Sequence, residues 1–389
     1  MRIAHVITRL ILGGAQENTV LTCEDLLRIH GDEVLLVAGP PTGPEGSLLA
    51  RVERNGVPVR LLPALGREIN PLRDPQGYFQ IKRALEEFKP EVVHTHSGKA
   101  GLLGRVAAHA LGVPAVVHTV HGAPFHPYQG RGPRAVLRWC ERYAAARCDA
   151  LVSVADAMTD MLVAARVAPR EKFTTIYSGM EVEPFLRADE LRGQVRSQLG
   201  YTDEHVVVGK IARLFHLKGH EYVIRAARQV IAQHENVRFL FVGDGILASS
   251  IRDQVERAGL TPYFQFTGLV PQEQVPGLIG AMDIVVHTSL REGLARVLPQ
   301  ALIAGKPVIS YDVDGAREVV ISGQTGILLP PESIDELAAG ICLLAGDPAL
   351  RARLGDQGRE RFTDQFRHTR MTEQLRGLYM RILSAKRAR

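Results

Sequence analysis

The stretch "LREGLARVLPQALIAGKPVIS", residues 290–310, places an acid, Glu292, directly before Gly293 and Leu294, and a carboxamide, Gln300, eight positions later. It reads as a loop over 291–294 feeding a helix over about 295–304 that closes on Gly305, with "KPVIS" as the next buried strand. Glu292 is poorly placed to cap that helix, so its carboxylate is free for a ligand. The helix N-terminus would favour an anion beside it. Upstream, "VGKIARLFHLKGHEYVI" sets Arg213 after a strand and Lys218-Gly219 five residues on, before a helix. Two cations so spaced suit a diphosphate, Arg by its planar fork and Lys as a point charge. Read blandly, they are two solvated surface charges.

Weaker signals lie elsewhere. In "LILGGAQENT", Gly13 and Gly14 either let a ligand approach the backbone at a helix start or make a plain tight turn. "HTHSGKAGLLGR" offers His94 and His96, which share one face of a strand, and Lys99 as an anion contact. An HxH pair can hold a metal, but no convincing series of further His and Asp ligands recurs at later strand ends. "SGKAG" imitates a phosphate loop, yet Val93 stands where that loop needs glycine. His121, before Gly122 in "HTVHG", sits at a strand end, where both a structural and a functional reading hold. "FLFVGDGILAS" looks like a dinucleotide fingerprint without its later acid. It reads as a strand-to-helix turn, Gly243-Asp244-Gly245, bordering a nucleotide site. "DVDG", Asp312 to Gly315, resembles a metal-binding DxD and reads better as a turn with an Asp cap.

These residues need strands to present them. "RIAHVIT", "EVLLVAG", "PEVVHTH", "PAVVHTV" and "DALVSVA" read as strands in the first half, and "HVVVGKIA", "VRFLFVG", "FQFTG", "DIVVHTS" and "KPVISY" in the second. Helical patterns fill the gaps, which predicts an α/β protein with parallel sheets covered on both faces, twice over. Two doubly wound domains would face across a cleft, with ligands outside the carboxyl ends of the strands. The boundaries expected are an N-terminal domain over 1–182, a hinge over 183–202, a second domain over 203–365, and a C-terminal helix over 366–389 that crosses back to the first domain.

The 389-residue length fits two domains, and 46% hydrophobic residues support sizeable cores. Cys23, Cys140, Cys148 and Cys342 are scattered, so neither a disulfide framework nor a zinc site is indicated. No signal peptide or membrane span is read, and a cytoplasmic location is expected. The net charge of +5 permits an anionic partner without a nucleic-acid motif. Arg131, Arg134, Arg138 and Arg142 form a stripe on one helix, with Val136, Trp139, Cys140 and Tyr143 broadly opposite. The stripe suits anionic lipid headgroups at the cytoplasmic face of a membrane, or it is the solvated face of a helix packed on its sheet.

Together, "GGAQ", "HTHSGKAGLLGR", "HTVHG", "ARLFHLKGH", "FVGDG" and "REGLARVLPQALIAGKPVI", in this order, resemble a family-4 retaining glycosyltransferase of the GT-B fold, over nearly the whole chain. The resemblance implies transfer of a hexose-type sugar from a nucleotide-sugar donor, UDP-linked first and GDP-linked next, to a saccharide or lipid-linked saccharide, without a metal or other cofactor. It implies that Glu292 contacts the transferred sugar, that the Gly293 and Leu294 amides help hold it, and that Arg213 and Lys218 bind the diphosphate. Gly13, Gly14, Gly243 and Asp244 would border the donor. His121 would orient the sugar, with His96 and Lys99 as acceptor-side or phosphate contacts. The chain departs from the family at three points. Gln300 stands where a second Glu binds the ribose; a carboxamide accepts at one end and donates at the other, so ribose hydroxyls can still be met. Ser178 replaces the hinge Asn, and Ala295 a common Pro. The alternatives are a non-transferring GT-B relative such as a sugar-nucleotide epimerase, and a catalytically inactive saccharide-binding protein.

Overall fold

In the computed structural model, which describes residues 1–43 and 46–388, the β-branched runs become two all-parallel sheets. The first contains β1 (Arg2–Ile7), β2 (Glu33–Ala38), β3 (Val59–Leu61), β4 (Val92–His96), β5 (Ala115–Val120), β6 (Ala150–Ser153) and β7 (Phe173–Thr175), in the order β3-β2-β1-β4-β5-β6-β7. The second contains β8 (Val206–Ile211), β9 (Val237–Val242), β10 (Phe264–Gly268), β11 (Ile284–His287), β12 (Val308–Tyr311) and β13 (Gly326–Leu329), in the order β10-β9-β8-β11-β12-β13. In each, the chain reverses direction across the sheet next to a central strand, so β1 pairs with both β2 and β4, and β8 with both β9 and β11. Such switch points put adjacent strand ends together with no helix crossing over them. The sequence pattern did not reveal β3, β7 and β13. They are edge strands of three or four residues, each with one neighbour, too short for an apolar run.

Six helices carry or flank the functional residues: α1 (Gly14–Arg28), α2 (Gly98–Ala110), α3 (Arg131–Ala145), α4 (His220–Gln233), α5 (Val297–Ile303) and α6 (His368–Arg387). The chain divides into two compact units, one of Met1–Met180 with Phe366–Arg389, the other Glu181–Gln365. The first unit thus includes the C-terminal helix: Met371, Leu375, Leu378, Tyr379 and Leu383 of α6 are buried in one core with Ile3, Val92 and Val117. The segment 183–202, read as a hinge, instead carries the short helices Glu183–Leu186 and Arg192–Gln198. Arg192 and Arg196 bind the two oxygens of Asp283 at 2.7 and 3.2 Å, which fastens the segment to the second unit.

Helix α3 differs from its expected packing. It rests on its unit through Glu141, Ala144 and Ala145, and Glu141 forms a buried 3.0 Å ion pair with Arg105 of α2. The row opposite the arginines points outward too: Val136 and Trp139 are 60% and 63% exposed. Trp139 stacks on Tyr143 at 5.5 Å, and the Arg147 guanidinium lies 3.5 Å from the Tyr143 ring centroid.

Candidate active site

The second unit gathers its functional side chains at the carboxyl ends of β8, β9, β11 and β12. Strand β11 ends in His287 and continues through Thr288, Ser289, Leu290 and Arg291 to Glu292. The β8–α4 connection runs beside it. It contains two left-handed residues, Leu217 (φ 65°) and Gly219 (φ 68°). At Gly219 a side chain is impossible, since a Cβ would lie 2.0 Å from the Thr288 carbonyl oxygen. The Leu290 amide donates to the Leu217 carbonyl at 2.8 Å, and the Thr288 hydroxyl donates to the Gly219 carbonyl at 2.6 Å. This close seam delivers Lys218 to Glu292, and the two form a direct ion pair.

Glu292 is held from three sides. Lys218 contacts Oε1, His287 Nε2 lies 3.7 Å from the same oxygen, and the Glu292 amide donates to Asp314 Oδ2 at 2.6 Å. Burial pushes this carboxyl up, but the neighbouring His287 and the Lys218 charge outweigh it and hold the group well below the usual carboxylate range. Glu292 therefore stays ionised and acceptor-only, suited to the hydroxyl hydrogens of a ligand. Behind the pair, Lys210 of β8 is completely buried and donates to Thr288 Oγ1 at 2.9 Å. Burial and the nearby Lys218 charge push its ammonium down to about 7. Burial likewise holds the His287 imidazole below its ordinary value, against the pull of Glu292.

The β9 end supplies the second wall. Gly243 (φ 132°) and Gly245 (φ 159°) pass so close to the Ala212 and Leu214 carbonyls that a Cβ would meet them at 2.3 and 2.5 Å. The Leu214 amide donates to the Asp244 carbonyl at 2.9 Å, which fixes this turn against Arg213. Arg213 itself lies over the Phe215 ring, 5.0 Å from its centroid. Gly293 is buried, Leu294 half-buried, and the Gly293 carbonyl accepts from the Gly315 amide at 3.0 Å. Helix α5 is seven residues long, shorter than the 295–304 expected, and Gln300 is half-buried on it. A helix of two turns sums few peptide dipoles, so its end adds little to the positive charge that Arg213 and Lys218 bring to these strand ends.

Sequence reasoning missed four contributors. Asp314, a turn cap on the sequence pattern, adopts a left-handed conformation (φ 47°) and holds the Glu292 backbone, while Asp312 pairs with Arg317 at 2.6 Å. The "DVDG" motif thus divides its acids between the site and the surface. His287 and Thr288 give no distinct signal inside "VVHTS". Lys210 carries a visible one, a lysine inside the apolar run "VVVGKI".

In the first unit the middle strands end in a histidine network. His5 Nδ1 meets His96 Nε2 at 3.0 Å, and His96 Nδ1 meets His121 Nε2 at 3.1 Å. His94 bonds the Tyr379 hydroxyl at 2.5 Å and Thr119 Oγ1 at 2.7 Å. His5, His94 and His96 are close enough to share an ion. Five of their six ring nitrogens are matched to other imidazoles and to hydroxyls, the sixth, His5 Nε2, is buried without a partner, no carboxylate joins the group among the described residues, and burial pushes all three imidazoles far toward neutrality. Thus His96 and His121 are brought together as one chain of rings. Lys99 is not available to a phosphate: its ammonium is paired with Asp74 at 2.6 Å and bonds the Glu68 carbonyl. Gly13 and Gly14 open α1, and the Glu17 amide donates to the Gly13 carbonyl at 2.9 Å.

Two family models match, end to end. The description "Glycosyl transferase 4-like domain" fits residues 14–179, and "Glycosyl transferases group 1" fits residues 192–361. Together the two models and the relatives make the chain a family-4-like glycosyltransferase. Its curated relatives include an Escherichia coli UDP-Gal:alpha-D-GlcNAc-diphosphoundecaprenol alpha-1,3-galactosyltransferase, 26% identical over 98% of this chain and 97% of the relative. Another is the alpha-D-kanosaminyltransferase of Streptomyces kanamyceticus, 27% identical over 90% and 94%. In fold, this glycosyltransferase resembles Anabaena HepE solved with UDP and glucose, with a TM-score of 0.81, 22% identity and coverage of 97% and 99%. Sucrose-phosphate synthase from Thermosynechococcus elongatus matches with a TM-score of 0.81 and 21% identity over 99% and 100%. The enzyme is a GT-B glycosyltransferase of the class that draws sugars from nucleotide donors. No described helix is long and apolar enough to cross a membrane.

Proposed function

We propose that the enzyme is a retaining hexosyltransferase that takes its sugar from a UDP-sugar, with a GDP-sugar as the second choice, and passes it to a saccharide or lipid-linked saccharide during cytoplasmic glycan assembly. The observation that carries this reading is the Lys218–Glu292 pair, a cation and an ionised carboxylate side by side. Lys218 and Arg213 neutralise the diphosphate as the bond from the sugar's anomeric carbon to the phosphate oxygen breaks. Glu292 accepts from the sugar hydroxyls, the Gly293 and Leu294 amides support it, and Gln300 meets the ribose. The acceptor oxygen bonds the anomeric carbon on the face the phosphate leaves, and a phosphate oxygen takes the acceptor proton. No protein nucleophile and no metal enters this scheme. His121, braced by His96, orients the sugar.

The relatives' names support this choice: one acts on a diphosphoundecaprenol-linked sugar with UDP-Gal, another is a kanosaminyltransferase. Peripheral contact with anionic lipid through Arg131, Arg134, Arg138 and Arg142 belongs to the same reading. Its support is the outward Val136, Trp139 and Tyr143, an aromatic and cationic face of the kind that lies at membrane interfaces.

Calorimetry of metal-free protein in EDTA against UDP, GDP, ADP and their sugar conjugates tests the donor assignment. One nucleoside diphosphate is expected to bind, and a Lys218→Ala variant to lose it. Binding to none of them, or only with added metal, would favour the inactive saccharide-binding protein or a metal-dependent reaction.

A further inference from the structure

A groove opens on the second unit, between α4 and the helix Ala248–Arg257. It has a volume of about 490 Å³. Ile224, Arg225 and Arg228 line it from α4, and Gln254, Arg257 and Ala258 from the facing helix and its cap. Its apolar part is Ile224, buried, and Ala258, half-buried; the three arginines are exposed. Backbone carbonyls fix two of the guanidinium groups. Arg228 Nη2 donates to the Ala258 carbonyl and Arg257 Nε to that of Asp253, both at 3.1 Å. Each contact uses one of the five hydrogens a guanidinium offers, so both forks keep donors for a ligand.

No acid lines the groove. Glu221 lies one turn before Arg225 on α4, and Asp253 and Glu256 lie on the facing helix, but none of them pairs with the three arginines among the described residues. Exposure alone does not leave an arginine unanswered in this unit: Arg187 pairs with Glu190 at 2.8 Å and Arg317 with Asp312 at 2.6 Å. Three guanidinium groups that share one groove without a carboxylate repel one another, and an anion among them removes that repulsion. A fork grips two oxygens of a phosphoryl group, and two linked phosphoryl groups carry oxygens enough for three forks.

Both walls of the groove lead back to the strand ends of the candidate site. Helix α4 starts at His220, directly after Lys218 and Gly219, and the facing helix starts at Ala248, shortly after the Gly243–Gly245 turn. Arg228 is about 12 Å along α4 from His220, and Arg257 about 14 Å along its helix from Ala248. An anion held by both helices ties the Lys218 loop to the Gly243–Gly245 turn through two rigid elements, which lowers the cost of ordering them around a nucleotide.

We propose that this groove is a second anion site, taking a soluble small molecule with two linked phosphoryl groups, and that its occupant strengthens nucleotide binding at the strand ends. The site itself stands apart from the glycosyltransferase reading; the coupling rests on it.

Inorganic pyrophosphate is the probe. It is titrated calorimetrically into the full chain with saturating UDP present, so that the proposed nucleotide site is filled. Binding is expected in the wild type, and about tenfold weaker or more in Arg225→Gln/Arg228→Gln/Arg257→Gln. Equal binding by the variant, or none in the wild type, overturns the site. Orthophosphate is expected to bind several-fold more weakly than pyrophosphate, and equal binding overturns the two-phosphoryl assignment. UDP is then titrated with and without pyrophosphate. In the wild type pyrophosphate is expected to tighten UDP several-fold. In the variant, where it acts only as a competitor at Arg213 and Lys218, it is expected to weaken UDP. Weakening in both proteins overturns the coupling, since two coupled ligands strengthen each other by the same factor. UDP titrated alone reports on the donor reading: its failure to bind the wild type would count against that reading, while loss of pyrophosphate from the arginine variant still reports on the groove.

Discussion

The two sheets share a topology and furnish their strand ends by opposite means. The middle of the first sheet ends in imidazoles that burial keeps neutral, His5 being pushed down to about 3. They are matched ring to ring and to Thr119, Thr95 and Tyr379. The second sheet ends in formal charges, Lys218 against Glu292, with a buried lysine behind them. A neutral network positions atoms at small electrostatic cost and suits uncharged hydroxyls. An ion pair holds charge ready for a ligand that brings its own.

The largest effect should follow from Glu292→Ala. Losing a transition-state contact of this kind costs about 10²–10³ in turnover, and the fold should persist because the side chain lies at the rim of its core. Near-full activity with the true donor would remove Glu292 from the site. Lys218→Met comes next. It should weaken nucleoside diphosphate binding by about tenfold to a hundredfold, the range of one charge-assisted hydrogen bond. It also has a pH signature. With Lys218 gone, burial is less opposed and the Glu292 carboxyl rises toward its ordinary value, so activity should fall in acid at a higher pH than in the wild type. An unmoved acid limb would mean that Lys218 does not govern Glu292.

His96→Leu probes the neutral side. It interrupts the chain from His5 to His121, and turnover should drop about tenfold, within the range a mispositioned contact costs, while UDP affinity stays unchanged. A loss of UDP affinity instead would erase the division between the two sheets. Lys210→Met should give the smallest change. The wild-type amine gains its proton as pH falls through about 7, and a diphosphate favours that charged form, so affinity should decline several-fold as pH rises from 7 to 8.5. In the variant that slope should vanish; an identical slope would show that the amine does not sense the ligand.

Much of this was legible in the sequence. Alternation of β-branched runs and helical stretches pointed to the two parallel sheets, because buried parallel strands must be apolar on both faces. Lys218, Glu292 and the Gly243–Gly245 turn could be placed since each follows such a run. The rest depended on contacts distant in sequence. Asp314 reaches Glu292 across 22 positions, and His5 reaches His96 across 91. Lys99 has the look of an open cation in the sequence, yet Asp74, 25 residues away, occupies it. That α3 packs through Glu141 could not be read either, because its buried partner, Arg105, lies 36 residues away.

The return of α6 to the first sheet has a consequence for synthesis. Met371, Leu375, Leu378 and Tyr379 complete a core begun by residues translated hundreds of codons earlier. The first unit must therefore wait, with Ile3, Val92 and Val117 only partly covered, while the whole of Glu181–Gln365 emerges and closes as an insert. A nascent chain stalled before His368 would hold a finished nucleotide-side unit beside an unfinished partner exposing apolar surface, so ribosome-associated chaperones should bind the first half of this polypeptide long after the second half has stopped needing them.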